Sequence, residues 1–171
     1  MAKILHIILI PITILFLTIS CGVAHAKGVD FVISSDKAEY SKADAINITF
    51  KIVNKSKEEI YINQRFYINS ADTEEGEREV YFRVTSPSGE ELSCKHKSDT
   101  GFPRTDDFVL LKTGNEIQGD RPKNIKGLFD FDSTGTYEIQ ATYKNIYGKE
   151  IGLDVFKEKI DSKPIKIKIA E

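Results

Sequence analysis

An all-β fold, with antiparallel strands packed as a sandwich, is what this sequence predicts, and three observations predict it. Beyond residue 26, runs of alternating apolar and polar residues recur along the chain. Turn-forming residues separate these runs, and no long segment repeats its apolar positions every 3.6 residues. A strand points successive side chains to opposite faces, so period-two alternation marks a sheet with one buried face. Together the runs correspond to an antiparallel β-sandwich of about seven to nine strands.

The elements follow in order. Asp30–Ser34 is short and mostly apolar. Ile46, Ile48, Phe50 and Ile52 then alternate with Asn47, Thr49 and Lys51. Short strands are expected at Glu59–Asn63 and Arg65–Asn69. Residues 70–79 are polar, with four glutamates (Glu74, Glu75, Glu77, Glu79), and read as a solvated loop. Val80, Phe82 and Val84 alternate with Tyr81 and Arg83. Ser86-Pro87-Ser88-Gly89 supplies a tight turn, Pro fixing φ and Gly allowing a positive one. Further strands are expected at Glu91–Cys94, Phe108–Leu111 and Lys126–Phe131. Residues 96–107 form a second irregular stretch. Tyr137, Ile139, Ala141 and Tyr143 alternate with Glu138, Gln140 and Thr142, and Ile165, Ile167 and Ile169 with Lys166 and Lys168. Residues 112–115 and 145–148 are the remaining turns.

The N-terminus predicts export. Lys3 is the only charged residue among the first 26, and an apolar run follows from Ile4 to Ile19. This is the layout of a signal peptide, and the run is shorter than the roughly 20 residues that cross a bilayer. Ala24-His25-Ala26 offers a cleavage site, which makes residues 1–26 the signal and 27–171 a single domain. Leu17-Thr18-Ile19-Ser20-Cys21 offers another: a lipobox, in which residues 1–20 are removed and Cys21 is acylated. The protein is then periplasmic or secreted in the first case. In the second it is a lipoprotein, held to a membrane only through its lipid.

Composition narrows the function. Losing residues 1–26 takes one of the 24 basic residues and none of the 26 acidic ones, leaving a net charge of -3. That balance argues against a nucleic-acid partner. Cys94 is the only cysteine left after residue 26, so the core rather than a disulfide framework must hold the domain. His96 is the only histidine left. Cys94 and His96 share one face of a strand, a pair that supports a metal- or thiol-dependent activity, although structural zinc wants four ligands. Asp130-Phe131-Asp132-Ser133-Thr134-Gly135 begins like a calcium loop, but Ala141 stands where the twelfth-position Glu belongs. No phosphate loop, dinucleotide motif or nucleophile elbow is present, and the expectation is a protein that is not an enzyme and needs no cofactor. Tyr61, Phe66, Tyr67 and Tyr81 cluster in the middle strands. Outward-facing members would make a protein-binding patch. Cross-strand packing is the other reading of the same residues.

Three sets of phrases carry a resemblance. Asp132-Ser133-Thr134-Gly135-Thr136-Tyr137 resembles the tyrosine corner of immunoglobulin-like sandwiches, with Asp132, Gly135 and Tyr137 as its structural residues. Gly135 makes the turn, and the Tyr137 hydroxyl reaches back to backbone. Asp36-Lys37-Ala38-Glu39-Tyr40-Ser41, followed by Ile46–Asn54, resembles the opening of bacterial immunoglobulin-like modules, with Ala43 where Gly is usual. Leu128–Phe131, Ala141-Thr142-Tyr143 and Ser162-Lys163-Pro164-Ile165 resemble the closing strands of macroglobulin-type exported domains. The resemblance spans about residues 29–169 and implies an immunoglobulin-like fold. That fold serves many roles and does not choose among them; with no catalytic motif found, the expectation is a non-catalytic binding or accessory module of the cell envelope or secretome, with another protein as partner. A peptidase inhibitor acting through residues 96–107 or 118–127 is the alternative role.

Overall fold

The computed structural model describes residues 28–69, 79–95 and 101–171. The expected export signal, its two alternative cleavage sites and Cys21 lie outside the described residues. Those described contain thirteen strands and two single turns of 3-10 helix, and no α-helix.

Three sheets organise the chain. In the first, β1 (Val29–Ser35) runs antiparallel to β3 (Asn47–Asn54), whose far edge carries β9 (Glu116–Gln118) and β10 (Lys123–Asn124). The second has the order β2 (Glu39–Ser41), β13 (Ile165–Ala170), β11 (Gly135–Lys144), β6 (Glu79–Thr85), β5 (Ile68–Asn69). On it β7 (Glu91–Leu92) pairs with β6, and β12 (Ile160–Asp161) pairs with β11. The third pairs β4 (Ile60–Asn63) with β8 (Phe108–Leu111). The β2–β13 and β5–β6 pairings are parallel, against the antiparallel expectation for the whole.

Alternation explains the long strands. Ile48, Phe50 and Ile52 are buried, while Asn47, Thr49 and Lys51 are only partly so. On β11, Tyr137, Ile139 and Ala141 are buried in the same way. These residues, with Phe31 of β1, Phe82 and Val84 of β6 and Ile167 of β13, form one continuous core shared by the first two sheets. A ring of aromatics sits in it: Phe31–Phe50 (6.2 Å between centroids), Phe50–Phe66 (5.4 Å), Phe66–Tyr143 (6.0 Å) and Tyr143–Phe31 (6.0 Å). Asn54 docks the third sheet on the first. Its buried amide donates to the carbonyls of Glu58 and Leu111, at 2.8 and 2.9 Å.

The chain passes from the first sheet to the second between Ser35 and Glu39. The Tyr40 hydroxyl, at the end of a buried side chain, donates to the Asp36 carboxylate (2.6 Å) and accepts from the Lys37 N–H (3.1 Å). That bond, with one from the Asn47 amide, holds the Asp36 carboxyl below its usual range. Asp44 closes the following turn by accepting from the Ser41 N–H at 3.0 Å.

The Tyr137 hydroxyl donates to the Ser133 carbonyl (2.9 Å) and accepts from the Ser133 N–H (3.1 Å). Gly135 has φ +130°, and a Cβ there would lie 2.9 Å from the Pro87 ring. Asp132 is exposed. Tyr137→Phe removes both bonds while keeping the ring, so it should cost about 1 kcal/mol in urea unfolding, the net worth of an ordinary hydrogen bond. A cost near zero would show that the hydroxyl is idle.

Several expected strands change. Residues 126–128 form a turn closed by the Leu128 N–H on the Ile125 carbonyl (2.9 Å), because Gly127 breaks the run. Phe129 and Phe131 still enter the core, from irregular backbone, with their rings edge to face. Their apolar spacing reflects burial without pairing. Arg65–Asn69 shrinks to Ile68–Asn69, since Phe66 adopts φ +48° and turns the chain. Glu91–Cys94 shrinks to Glu91–Leu92.

Candidate functional site

Beyond Asn63, the end of β4, one more backbone bond (Gln64 N–H to the Asp107 carbonyl, 2.8 Å) gives way to side-chain contacts. The Asn63 side-chain oxygen accepts from the Arg65 N–H at 3.1 Å, a local turn of the kind Asn favours. The Tyr143 hydroxyl clamps the Asn63 backbone, accepting from its N–H and donating to its carbonyl, both at 3.1 Å. Burial pushes the Tyr143 hydroxyl well above the ordinary tyrosine range, so it stays protonated and keeps both bonds. Phe66 then takes its positive φ, which drops its ring into the aromatic core and leaves Arg65 and Tyr67 on either side of it.

Glu79 meets them from the start of β6. It has φ +60° and is 0% exposed. One carboxylate oxygen accepts from the Arg65 guanidinium and the other from the Tyr67 N–H at 2.9 Å. The Arg65 side chain is itself only 8% exposed. Burial raises the Glu79 pKa above its ordinary 4.5; the Tyr67 N–H and the Arg65 charge oppose the rise. Glu79 in the ion pair and Phe66 beside Arg65 both have positive φ, a concentration of backbone strain around this pair.

Arg65 reaches further. It donates to the Gly101 carbonyl at 3.3 Å, and its guanidinium lies 4.9 Å from the Tyr67 ring centroid and 5.9 Å from that of Tyr147. Tyr147 is held by buried Asn145, whose amide donates to the Tyr147 carbonyl at 2.9 Å. Phe102 stands edge-on to Tyr147, 5.9 Å between centroids. Phe102 is 81% exposed and Tyr67 44%. The result is a buried cation under Tyr67 and Tyr147, with Phe102 packed on Tyr147 at the surface and the charge balanced by a carboxylate sealed from solvent.

The expected aromatic patch is therefore corrected. Tyr67 is exposed, but Phe66 is buried in the main core and Tyr81 is buried on β6, with the Lys159 ammonium 5.4 Å above its ring. Tyr61 is half-buried in a small second cluster with Phe108, Tyr147 and Val155. Phe66 and Tyr67 are adjacent and so face opposite ways, and the turn at Phe66 sends its ring into the core while Tyr67 stays at the surface. Arg65, Glu79, Phe102 and Tyr147 escaped the sequence reading. Glu79 lies at the end of an acidic run that reads as solvated, and Phe102 in a stretch without period. Their only sequence signal is an aromatic or a charge in an irregular segment.

Cys94 is half-buried against the main core, and His96 lies outside the described residues. Among the described residues, no three His, Cys, Asp or Glu side chains are grouped to hold a metal ion. Fold and site together define a mostly-β protein of several open sheets with two exposed aromatic rings beside a buried ion pair. No protein-family model matches the sequence, and no curated protein matches it.

Proposed function

We propose that this chain is a non-catalytic binding module, an immunoglobulin-like β-sandwich that takes a protein partner on the Tyr67–Phe102 surface. The observation that carries the reading is a pair of exposed rings, Tyr67 stacked on Arg65 and Phe102 edge-on to Tyr147, which itself lies over Arg65. Aromatic and arginine side chains dominate the energetics of protein interfaces. Rings packed against a neighbour, Tyr67 on Arg65 and Phe102 on Tyr147, lose less entropy on binding than free ones. The buried Glu79 favours this reading over chemistry, because a carboxylate engaged by Arg65 and Tyr67 and closed to solvent has no path to a substrate. The shared core, the crossing from β1 to β2 and the Tyr137 hydroxyl bonds support the sandwich. The N-terminal run supports export, with release after Ala26 or a lipid on Cys21. In either case the module works in the periplasm, at a membrane surface or outside the cell.

Photo-crosslinking through a benzophenone side chain at position 102, in the native host, tests the proposal. One dominant protein should be captured, and purified with the module it should bind Phe102→Ala and Tyr67→Ala at least tenfold more weakly. Both variants retain the wild-type circular dichroism, since both rings are exposed. Undiminished binding in both would sink the reading. Intact mass of the same material reads the start of the chain, Lys27 or an acylated Cys21.

A further inference from the structure

The outer edge of β1 is unlike the other edges of the two larger sheets. Those others are made by strands of two or three residues: β9 and β10 on the first sheet, β2, β5 and β7 on the second. β1 spans seven residues and pairs with β3 in unbroken register from Val29–Asn54 to Ser35–Ile48, without a bulge. Among the described residues, no strand pairs with its other edge. Natural sheets blunt such an edge with Lys, Pro, bulges or shortness. Val29–Ser35 has no Lys, Pro or bulge, and its one charged side chain, Asp30, is paired with Lys55 at 2.5 Å.

A groove of about 220 Å³ runs along the same edge. Val29, Phe31 and Ile33 form one wall and Ile160 and Ile165 the other, with the charged Asp30, Asp161 and Lys163 also in the lining. The second wall is open because β2 covers β13 only from Lys168 to Ala170. An apolar cavity of about 150 Å³ already holds a benzene ring, so this groove has room for one or two aliphatic side chains.

We propose that β1 and this groove receive an extended segment of a partner protein as an added strand, with aliphatic residues at alternate positions. The backbone of the segment pairs with the free edge of β1, and its inward side chains fill the groove. A second copy of this chain is the poorer occupant, for two reasons. Paired edge to edge, another β1 would bring Val29, Phe31 and Ile33 already committed to its own core, and the groove would stay unfilled. Seven residues also extend only about 23 Å. Two such edges meet in a narrow strip, well short of the roughly 800 Å² per partner of a stable interface. A separate segment brings its own side chains and does not have that shortfall to meet with a rigid domain.

The test uses the full-length protein and a soluble peptide of alternating Val and Thr flanked by Lys. Titration followed by backbone amide shifts and hydrogen exchange should change β1, with alternate amides from Val29 to Ser35 gaining protection. Val32→Lys places a charge on the edge at a residue that is 42% exposed, so it leaves the fold intact. It should weaken the peptide at least tenfold. Ile165→Glu, which charges the groove, should do the same. Phe102→Ala should not, because its ring lies in the other surface. Three outcomes overturn the proposal: unchanged β1 amides at millimolar peptide, equal response to an all-Thr peptide, or a concentration-dependent dimer through β1 in sedimentation.

Discussion

Glu79→Ala lowers the stability of the protein by about 3–5 kcal/mol, because it leaves the buried Arg65 guanidinium without its counter-charge and the Tyr67 N–H without an acceptor. Removing one partner of a buried pair costs far more than removing both, since the remaining charge cannot return to water. Arg65→Met combined with Glu79→Leu should therefore recover most of the loss in urea unfolding. If the double variant is as unstable as Glu79→Ala, the pair is not what holds this corner. The pH dependence has a defined sign. Burial raises the native pKa of Glu79 above its ordinary 4.5, so the native carboxyl keeps its proton where the unfolded one has released it. The contribution of Glu79 is then full below about pH 4.5 and declines as pH rises through its native pKa. Glu79→Gln should abolish that decline. A wild-type profile that instead gains stability from this residue with rising pH would reverse the assigned direction.

What could be read in advance depended on how local the cause was. β3, β11 and β13 show their period in the sequence because one face of each is buried along its whole length. The Asp36–Tyr40 bond joins residues four apart, as does the bond from Tyr137 to Ser133, so each phrase contains both partners. The site has no such economy. Arg65 meets Glu79 across fourteen residues and Gly101 across thirty-six. Phe66 sits in a run that reads as a strand, and only the clamp of Tyr143 on Asn63, eighty residues away, favours its turn. The two-residue strands are likewise consequences of packing: Lys123–Asn124 has no period to show, and it pairs because Ile125 beside it is buried. Spacing in Lys126–Phe131 misled for the converse reason, since two Phe residues can reach a core without a ladder.

Phe50→Ala should cost about 3–5 kcal/mol, the range for removing a buried aromatic side chain. Phe50 lies at the junction of the two large sheets. It contacts Phe31 on β1, Phe82 on β6 (6.4 Å) and Phe66 in the turn that carries the candidate site. Gly119 backs the ring so closely that a Cβ there would stand 3.2 Å from it, so the backbone is already in contact and has little room to collapse into a void. A cavity that cannot collapse falls at the costly end of the range. For a domain of this size, each kcal/mol shifts the midpoint by about 2–4 °C, so thermal unfolding should fall by roughly 6–20 °C. Phe50→Leu keeps much of the volume and should lose less than half as much. Because Phe66 leans on the same ring, Phe50→Ala should also loosen Tyr67, seen as faster hydrogen exchange at its N–H on Glu79. If stability falls while that amide keeps its protection, the aromatic ring and the Arg65 site are separate units, and the rigidity of the exposed surface rests on the Arg65–Glu79 pair alone.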